Sequence, residues 1–355
     1  MSEVEQLRVD ASELQQFTES IFVGAGLNAV HAGQVADSLV KSDLRGTHSH
    51  GVVRIPFLID RLFKGGANAD PQIKILREAP ATALLDGDRA LGAVTATHAM
   101  RIAMEKAQTA GVGFVAVNNS DFIGACAHYA LMAMPKNMIG IAWTNGYPGM
   151  TPWGGSVNNI GNNPIAFAAP GLAQGPVVLD MALSVAAGGK VRLAAKNNRR
   201  IPTDWIIDRH GQPTDNPADL AAGGALLPLG YKGYGLAVFG EILCGVLTGS
   251  RILSEIPAWF VDTQRDIGNG HIHMAIDISS FIEPEAFKHR VDEMAMMLKN
   301  TPLLTGMHEI LLPGERAWRV QQEQLSTGIR LSASVWKDLL ELADRLNIFA
   351  PTTQQ

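Results

Sequence analysis

Hydrophobic residues change their spacing twice along this chain, and those changes set its architecture. Over residues 10–63 they recur at helical intervals: Leu14, Phe17, Ile21 and Phe22, then Val35, Leu39 and Val40, then Ile55, Leu58, Ile59 and Leu62. That spacing lays apolar side chains on one face of an α-helix. Gly65-Gly66 ends the run. From about residue 71 short apolar runs take over. Residues 81–85, 112–117, 139–144, 165–169, 177–179 and 271–276 read as strands, and 208–213 as a hairpin turn around His210-Gly211. One helix interrupts them at 93–110, with Ala99, Ile102, Ala103 and Ala107 on one face. Gly-rich loops are expected at 145–163, 188–190, 223–235 and 268–270. Helical spacing returns over 285–346 in three segments, 286–298, 317–326 and 333–346, with a Pro313-Gly314 turn before the middle one. The expected architecture is an α/β core between two helical ends. No internal repeat or low-complexity tract is present.

Composition narrows the class. The chain has 355 residues, 46% apolar and 18% charged. It is too apolar for a disordered chain, and long enough for two or three domains or one large one. The 36 glycines imply many tight turns or close backbone approaches. The net charge of −5 argues against a nucleic-acid surface, which carries a basic excess. Two cysteines, Cys126 and Cys244, make no disulfide framework and suit a reducing compartment. The acidic start, Met-Ser-Glu-Val-Glu, lacks a basic and apolar leader. The most apolar stretch, 234–248, contains Glu241 and is too short to span about 30 Å of hydrocarbon. The expectation is a soluble cytoplasmic protein that contacts neither membrane nor nucleic acid.

One motif misleads. Gly24-Ala-Gly26-Leu-Asn-Ala29, with Asp43 downstream, matches a dinucleotide fingerprint. That fingerprint requires a strand before it and another ending at the acid. Here both flanks have helical spacing, so the glycines read as the turn of a helical hairpin. Walker A, His-Glu-x-x-His, Cys-x-x-Cys and Gly-x-Ser-x-Gly patterns are absent from the sequence, and no metal site is expected.

The densest polar cluster is Asp43-Leu-Arg-Gly-Thr-His-Ser-His-Gly-Val-Val-Arg54-Ile-Pro56, between two helices. His50 titrates near neutrality and can exchange a proton with a substrate. The Ser49 hydroxyl can orient it. Arg54, one turn further, can grip a carboxylate with two parallel hydrogen bonds. The residues alone leave an ordinary helix start open, with Ser49 as cap and His50 and Arg54 in solvent.

This stretch resembles the malate/L-lactate dehydrogenase family that lacks a Rossmann domain, whose signature runs Asp-Leu-Arg-Gly-x-x-Ser-His-Gly-x-x-Arg. Further matches follow in order: Gly161-Asn-Asn-Pro, Leu179-Asp-Met-Ala-Leu-Ser184, Gly189-Lys-Val-Arg-Leu-Ala-Ala195, Leu226-Leu-Pro-Leu-Gly-Tyr-Lys-Gly-Tyr-Gly235, Gly270-His-Ile-His-Met-Ala-Ile-Asp277 and Leu312-Pro-Gly-Glu315. They cover nearly the whole chain. The resemblance implies an α/β fold with a largely antiparallel sheet and helical segments from both chain ends. It implies a helical substrate and dimerisation domain, 1–75 with 285–355, and a cofactor-binding core, 76–284. It implies NADH or NADPH as cofactor, a small 2-oxo or 2-hydroxy acid as substrate, and a homodimer with the site near the subunit interface.

By position, the resemblance makes His50 the proton donor, supported by Ser49, with Arg54 on the substrate carboxylate and Asn162 also at the substrate. Asp180, Met181, Ala182, Tyr231, Lys232, Gly314, Glu315 and Phe122 fall to the cofactor. Asp180 as a turn cap, Lys232 as a solvated charge and Glu315 as a first-turn helix acid are the structural alternatives.

Three departures bear on substrate. Asn119-Ser-Asp-Phe-Ile-Gly124 stands where the family often carries Asn-Ser-Asn-His-Phe-Gly, so Phe122 replaces a second acid/base histidine unless His128 swings in. Asn162 replaces a threonine. Lys190 stands where imino-acid reductases of the family carry an acid, which argues for a keto acid. Trp143, Tyr147 and Trp153 offer a pocket wall, with core packing as the alternative. His31 and His98 read as surface residues, and Met294, Met296 and Met297 as helix packing. The competing functions are a cyclic imino-acid reductase and a cofactor-binding protein without turnover. Leu311, where an arginine would hold a 2′-phosphate, favours NADH.

Overall fold

The computed structural model describes residues 6–353. Strand β1 (Gln6–Val9) leads into helices α1 (Ala11–Gly24), α2 (Ala29–Leu44) and α3 (Ile55–Phe63). Asp10 caps α1 by accepting from the Ser12 and Glu13 amides, and Asn28 caps α2 by accepting from His31. Gly24-Ala-Gly26 is the turn between them, with helix on both sides and Gly26 at φ +103°. It is a helical hairpin and not a dinucleotide loop.

The central region runs β2 (Lys74–Glu78), β3 (Thr82–Asp86), α4 (Gly92–Ala110), β4 (Val112–Ser120), α5 (Cys126–Met132), β5 (Met138–Thr144), β6 (Ile165–Ala169) and β7 (Val177–Met181). Then come α6 (Gly188–Lys196), the short strands β8 (Ile206–Ile207), β9 (Pro213–Thr214) and β10 (Ala225–Leu226), α7 (Gly230–Glu241) and β11 (Asn269–Asp277). The C-terminal part adds α8 (Pro284–Lys299), α9 (Glu315–Thr327), β12 (Ile329–Ser332) and α10 (Ala333–Arg345).

Seven strands form the main sheet in the order β2-β3-β4-β11-β5-β6-β7. Only β3 and β4 run parallel; every other neighbour pair is antiparallel. The late strand β11 fills the centre, with His271 opposite both Val117 and Thr144. Helix α4 lays its small face on the sheet through Ala96, Ala99, Met100, Ala103 and Ala107, all fully buried.

The two chain ends close on each other. β1 pairs antiparallel with β12. Leu14, Phe17 and Ile21 share a core with Trp336, Leu339 and Leu342, and the Phe17 and Trp336 ring centroids lie 5.6 Å apart. Truncating Phe17 to Ala would cost about 3–5 kcal/mol. Among the described residues no helix is long and apolar enough to cross a membrane.

Four features depart from the sequence reading. The loops expected at 188–190 and 223–235 include the starts of α6 and α7, helices that glycine content argues against. Burial of Val191 and Ala237 in the core beneath the sheet overrides that propensity. Strands β1, β2 and β12 carry too little alternation to announce themselves; β2 is exposed at every residue. Met294, Met296 and Met297 face solvent, because α8 buries Val291 and Ala295 instead. Trp143, Tyr147 and Trp153 form no single wall. Trp143 is a core residue donating to the Asn163 carbonyl at 3.0 Å, and Trp153 is exposed beside Tyr231.

Candidate active site

The link between α2 and α3 carries His48, Ser49, His50 and Arg54, and one buried carboxylate holds its shape. Asp43, at the end of α2, accepts from the Val52 amide at 2.7 Å and lies 2.8 Å from His48 Nδ1. A Cβ on Gly51 would overlap that carboxylate, so only glycine fits there. From α9, Gln324 Nε2 donates to the carbonyls of Asp43 and Leu44, at 2.9 Å each. The loop is therefore pinned by side chains from both chain ends.

Ser49 Oγ lies 2.9 Å from His50 Nδ1, which leaves the other ring nitrogen for chemistry. Desolvation, and then the Arg54 charge, lower His50 to about 4, so the imidazole is neutral at pH 7. Arg54 Nε donates to the Ser49 carbonyl at 2.6 Å. Among the described residues neither Nη of Arg54 has an acceptor. Burial, and then the nearby Arg192 charge, lower this guanidinium to about 10.

Aromatic rings wall the site. Phe122 stacks on Trp259 with centroids 4.3 Å apart, and its ring centroid is 6.0 Å from that of His50. The Arg54 guanidinium carbon lies 5.9 Å from the Phe122 ring and 5.3 Å from the Trp259 ring. Phe260 meets Trp259 edge-on at 5.5 Å and Tyr147 at 5.0 Å. The segment carrying Phe122 is anchored by a buried ion pair, Asp121 with Arg61 at 2.6 Å. Asp121 thus serves structure while Phe122 dries the pocket. His128 does not reach this site. It is buried in α5, its Nε2 3.8 Å from Asp37, and lines a different cleft.

That second cleft has a volume of about 740 Å³ and is lined by Arg45, His128, Val178, Asp180 and Gly314, among others. Asp180 keeps contact with solvent, yet the enclosing wall raises its carboxyl to about 6, against the pull of the Ala127 amide and Arg45. Gly314, at φ +79°, brings its backbone so close to Val178 that a Cβ would strike the Val178 carbonyl. Buried His128 Nδ1 has no hydrogen-bond partner among the described residues. An orphaned donor or acceptor, an acid and a side-chain-free backbone wall suit the hydroxyl-rich half of a dinucleotide.

The remaining expected positions sort themselves by contact. Met181 ends β7, opposite Ile165. The Leu183 amide donates to the Asn162 carbonyl at 2.8 Å, and the Leu229 amide to the Leu183 carbonyl at 2.9 Å. That ladder sets Asn162, Ala182 and the start of α7, with Tyr231 and Lys232, side by side. Tyr231 and Lys232 are exposed. Glu315 is spent on structure: it binds Lys299 at 2.7 Å, Arg319 at 2.6 Å and the Leu312 amide at 3.0 Å, and so holds the Pro313-Gly314 turn. Trp259, Phe260 and Arg192 were not singled out by sequence. Arg192 lies within a quoted motif, but nothing local marks the aromatic pair.

A mixed, mostly antiparallel sheet with a Ser-His-Arg loop and a dinucleotide-sized cleft defines a dehydrogenase built without the doubly wound parallel sheet of a Rossmann domain. The chain belongs to the malate/L-lactate dehydrogenase family, whose model matches residues 9–340. It is 38% identical over 350 residues to a malate dehydrogenase of Pyrococcus abyssi, covering 96% of each chain. Its structure is similar to that of malate dehydrogenase from Pyrococcus horikoshii, with a TM-score of 0.89, 35% identity and 99% of each chain covered. It is also similar to that of delta1-piperideine-2-carboxylate reductase from Pseudomonas syringae, with a TM-score of 0.84, 26% identity, 95% of this chain and 99% of that one. Enzymes of this class use a nicotinamide cofactor.

Proposed function

We propose that this enzyme interconverts a small 2-oxo acid and the corresponding 2-hydroxy acid, with His50 moving the proton and Arg54 holding the carboxylate. The observation that carries this reading is the pairing of an oriented, neutral His50 with an Arg54 guanidinium that is anchored through Nε and keeps both Nη groups open, each ring or guanidinium about 6 Å from the Phe122 ring. A nicotinamide, when bound, would provide the hydride chemistry at the carbon next to the carboxylate. In oxidation, neutral His50 accepts the hydroxyl proton. In reduction, protonated His50 gives it to the carbonyl oxygen. A substrate carboxylate on Arg54 offsets the charge that depresses His50, so binding itself favours the protonated imidazole. Phe122 and Trp259 exclude water, which strengthens both interactions.

Asp180, Met181, Ala182 and Gly314 would line the cofactor site from β7 and the Pro313-Gly314 turn, with Tyr231 and Lys232 from the start of α7. NADH is favoured, since Asp180 is the kind of acid that receives ribose hydroxyls. A homodimer accounts for the exposed apolar row on and after α7, Leu236, Phe239, Ile242, Val246 and Leu247. Two buried free thiols suit the reducing cytoplasm.

The test is loss of NADH or NADPH absorbance against oxaloacetate, pyruvate, phenylpyruvate and cyclic imino acids. Turnover of a 2-oxo acid is expected. Turnover of imino acids alone would replace this reading with an imine reductase, and cofactor binding without any turnover would leave a binding protein.

A further inference from the structure

About two turns along α3 from Arg54 lies a second arginine, Arg61, which the chemistry does not use. It is fully buried, and its guanidinium reaches several segments at once. Nε and Nη2 donate to the Asp121 carboxylate at 3.1 and 2.6 Å. Nη2 also donates to the carbonyls of Gly66 at 3.0 Å and Arg265 at 3.2 Å. The Asp121 carboxylate in turn accepts from the Phe122 amide at 2.7 Å. One side chain therefore joins the helix that begins at Arg54, the segment that carries Phe122, and the segment 256–267 that carries Trp259.

The backbone around this joint leaves little room for movement. A Cβ on Gly66 would strike the Thr263 carbonyl, and a Cβ on Gly92 would strike the carbonyls of Asp121 and Phe122. The rings complete the closure: Phe122 stacks on Trp259 at 4.3 Å, and Phe57 of α3 meets Trp259 edge-on at 6.0 Å. A buried ion pair is a poor source of stability, because desolvation consumes most of its attraction. Arg61 Nη1 is also buried without an acceptor among the described residues, a further cost. What the pair supplies is direction, since a rigid fork of donors accepts one arrangement of its partners.

We propose that Arg61 is the positioning residue of this site: with Asp121 it holds the Phe122 and Trp259 rings closed over His50 and Arg54. Its part in turnover rests on the assignment of His50 as the proton carrier. The closed wall desolvates His50, and desolvation is the main cause of its midpoint near 4. Among the described residues Arg54 is the one charge acting directly on His50; Arg192 acts on Arg54, and Asp121 is spent on Arg61. Opening the wall admits water and leaves Arg54 in place, so His50 becomes more basic.

The test is the double variant Arg61→Met with Asp121→Asn, which removes both charges together and leaves no buried ion unpaired. A thermal melt shows whether it folds. NMR of the substrate-free enzyme with isotope-labelled histidine reads the imidazole directly, the His50 signal being the one missing from His50→Gln. Wild type should stay neutral down to about pH 5, and the double variant should titrate between about pH 5 and 6.5. For the responsive 2-oxo acid, kcat should fall about 10- to 100-fold with KM changed less than about threefold, because Arg54 still holds the carboxylate. Arg61→Lys, which keeps the charge without the fork, should fall between. Phe122→Ala opens the wall without touching the ion pair and should raise the His50 midpoint in the same direction; it decides the matter if the double variant does not fold. A folded double variant with an unmoved His50 signal, or an unmoved signal in Phe122→Ala, overturns the proposal. A moved signal without turnover of any 2-oxo acid upholds the positioning role and removes the 2-oxo acid reading instead.

Discussion

Replacing Arg54 with methionine separates carboxylate recognition from everything else the loop does. Methionine keeps the stem packed on Phe122 and Trp259 and removes the charge. It also removes the 2.6 Å bond to the Ser49 carbonyl, so a thermal melt must show the variant folded. Arg54 has two Nη donors free for a bidentate grip, and hydrogen bonds to charged groups contribute about 1.5–3 kcal/mol each. The gross interaction is about 3–6 kcal/mol. Water entering the vacated space recovers part of it, leaving a loss of about 3–4 kcal/mol, or a fall in kcat/KM of about 10²–10³. Steady-state kinetics at saturating NADH, with the responsive 2-oxo acid, should show this chiefly as a raised KM. Hydroxyacetone, which has the ketone but no carboxylate, should lose almost nothing, because the interaction deleted from the enzyme is already missing from the substrate. A second readout comes from His50. In wild type, kcat/KM for the hydroxy acid should hold from neutrality down to about pH 5 and fall toward the His50 midpoint near 4. The variant loses the Arg54 contribution to that depression, so its midpoint should move up toward 6.5, while desolvation keeps it below. An equal loss for the acid and hydroxyacetone would refute the carboxylate assignment. An unmoved midpoint would refute the coupling.

Three further outcomes are expected. His50→Gln should lower kcat by about 10²–10⁴ while NADH fluorescence titrates as in wild type; an unchanged kcat removes His50 as the proton carrier. Gly51→Ala forces the Asp43 carboxylate off the Val52 amide and should destabilise the fold by about 2–4 kcal/mol, read as a lower denaturant midpoint with lost activity; an unchanged midpoint contradicts the packing. Glu315→Gln breaks the ion pairs to Lys299 and Arg319 that hold the Pro313-Gly314 turn, and should weaken NADH binding by about 3- to 10-fold in a fluorescence titration; unaltered affinity would detach that turn from the cofactor site.

The legible parts of the chain were those where a local rule suffices. The helical stripes of α1 to α3 and α10, and the buried strands β5 and β6, declare themselves because periodicity and a run of apolar residues are local properties. The Gly24-Ala-Gly26 turn was readable for the same reason: its flanks contradict the motif. Helices α6 and α7 were not readable, because their glycines oppose helix formation and only the burial of their own Val191 and Ala237 in the core reverses that preference. The chemistry of Ser49, His50 and Arg54 was visible as a cluster of reactive types within six positions. Its walls were not, since Phe122 and Trp259 stack from segments 137 positions apart in numbering.

What the sequence determined by itself is the order of helical and strand segments, the family, and the loop that groups Ser49, His50 and Arg54. Each of these depends on residues near one another in the chain or on motifs read in order. The tertiary structure alone decided that both chain ends share one core, that Asp43 and Gln324 pin the loop carrying His50 and Arg54, and that Arg192 stands with Arg54 on one aromatic corner. Those facts belong to contacts between distant segments, where the cost of a buried charge, a missing Cβ or an unpaired guanidinium exists only once the chain has folded.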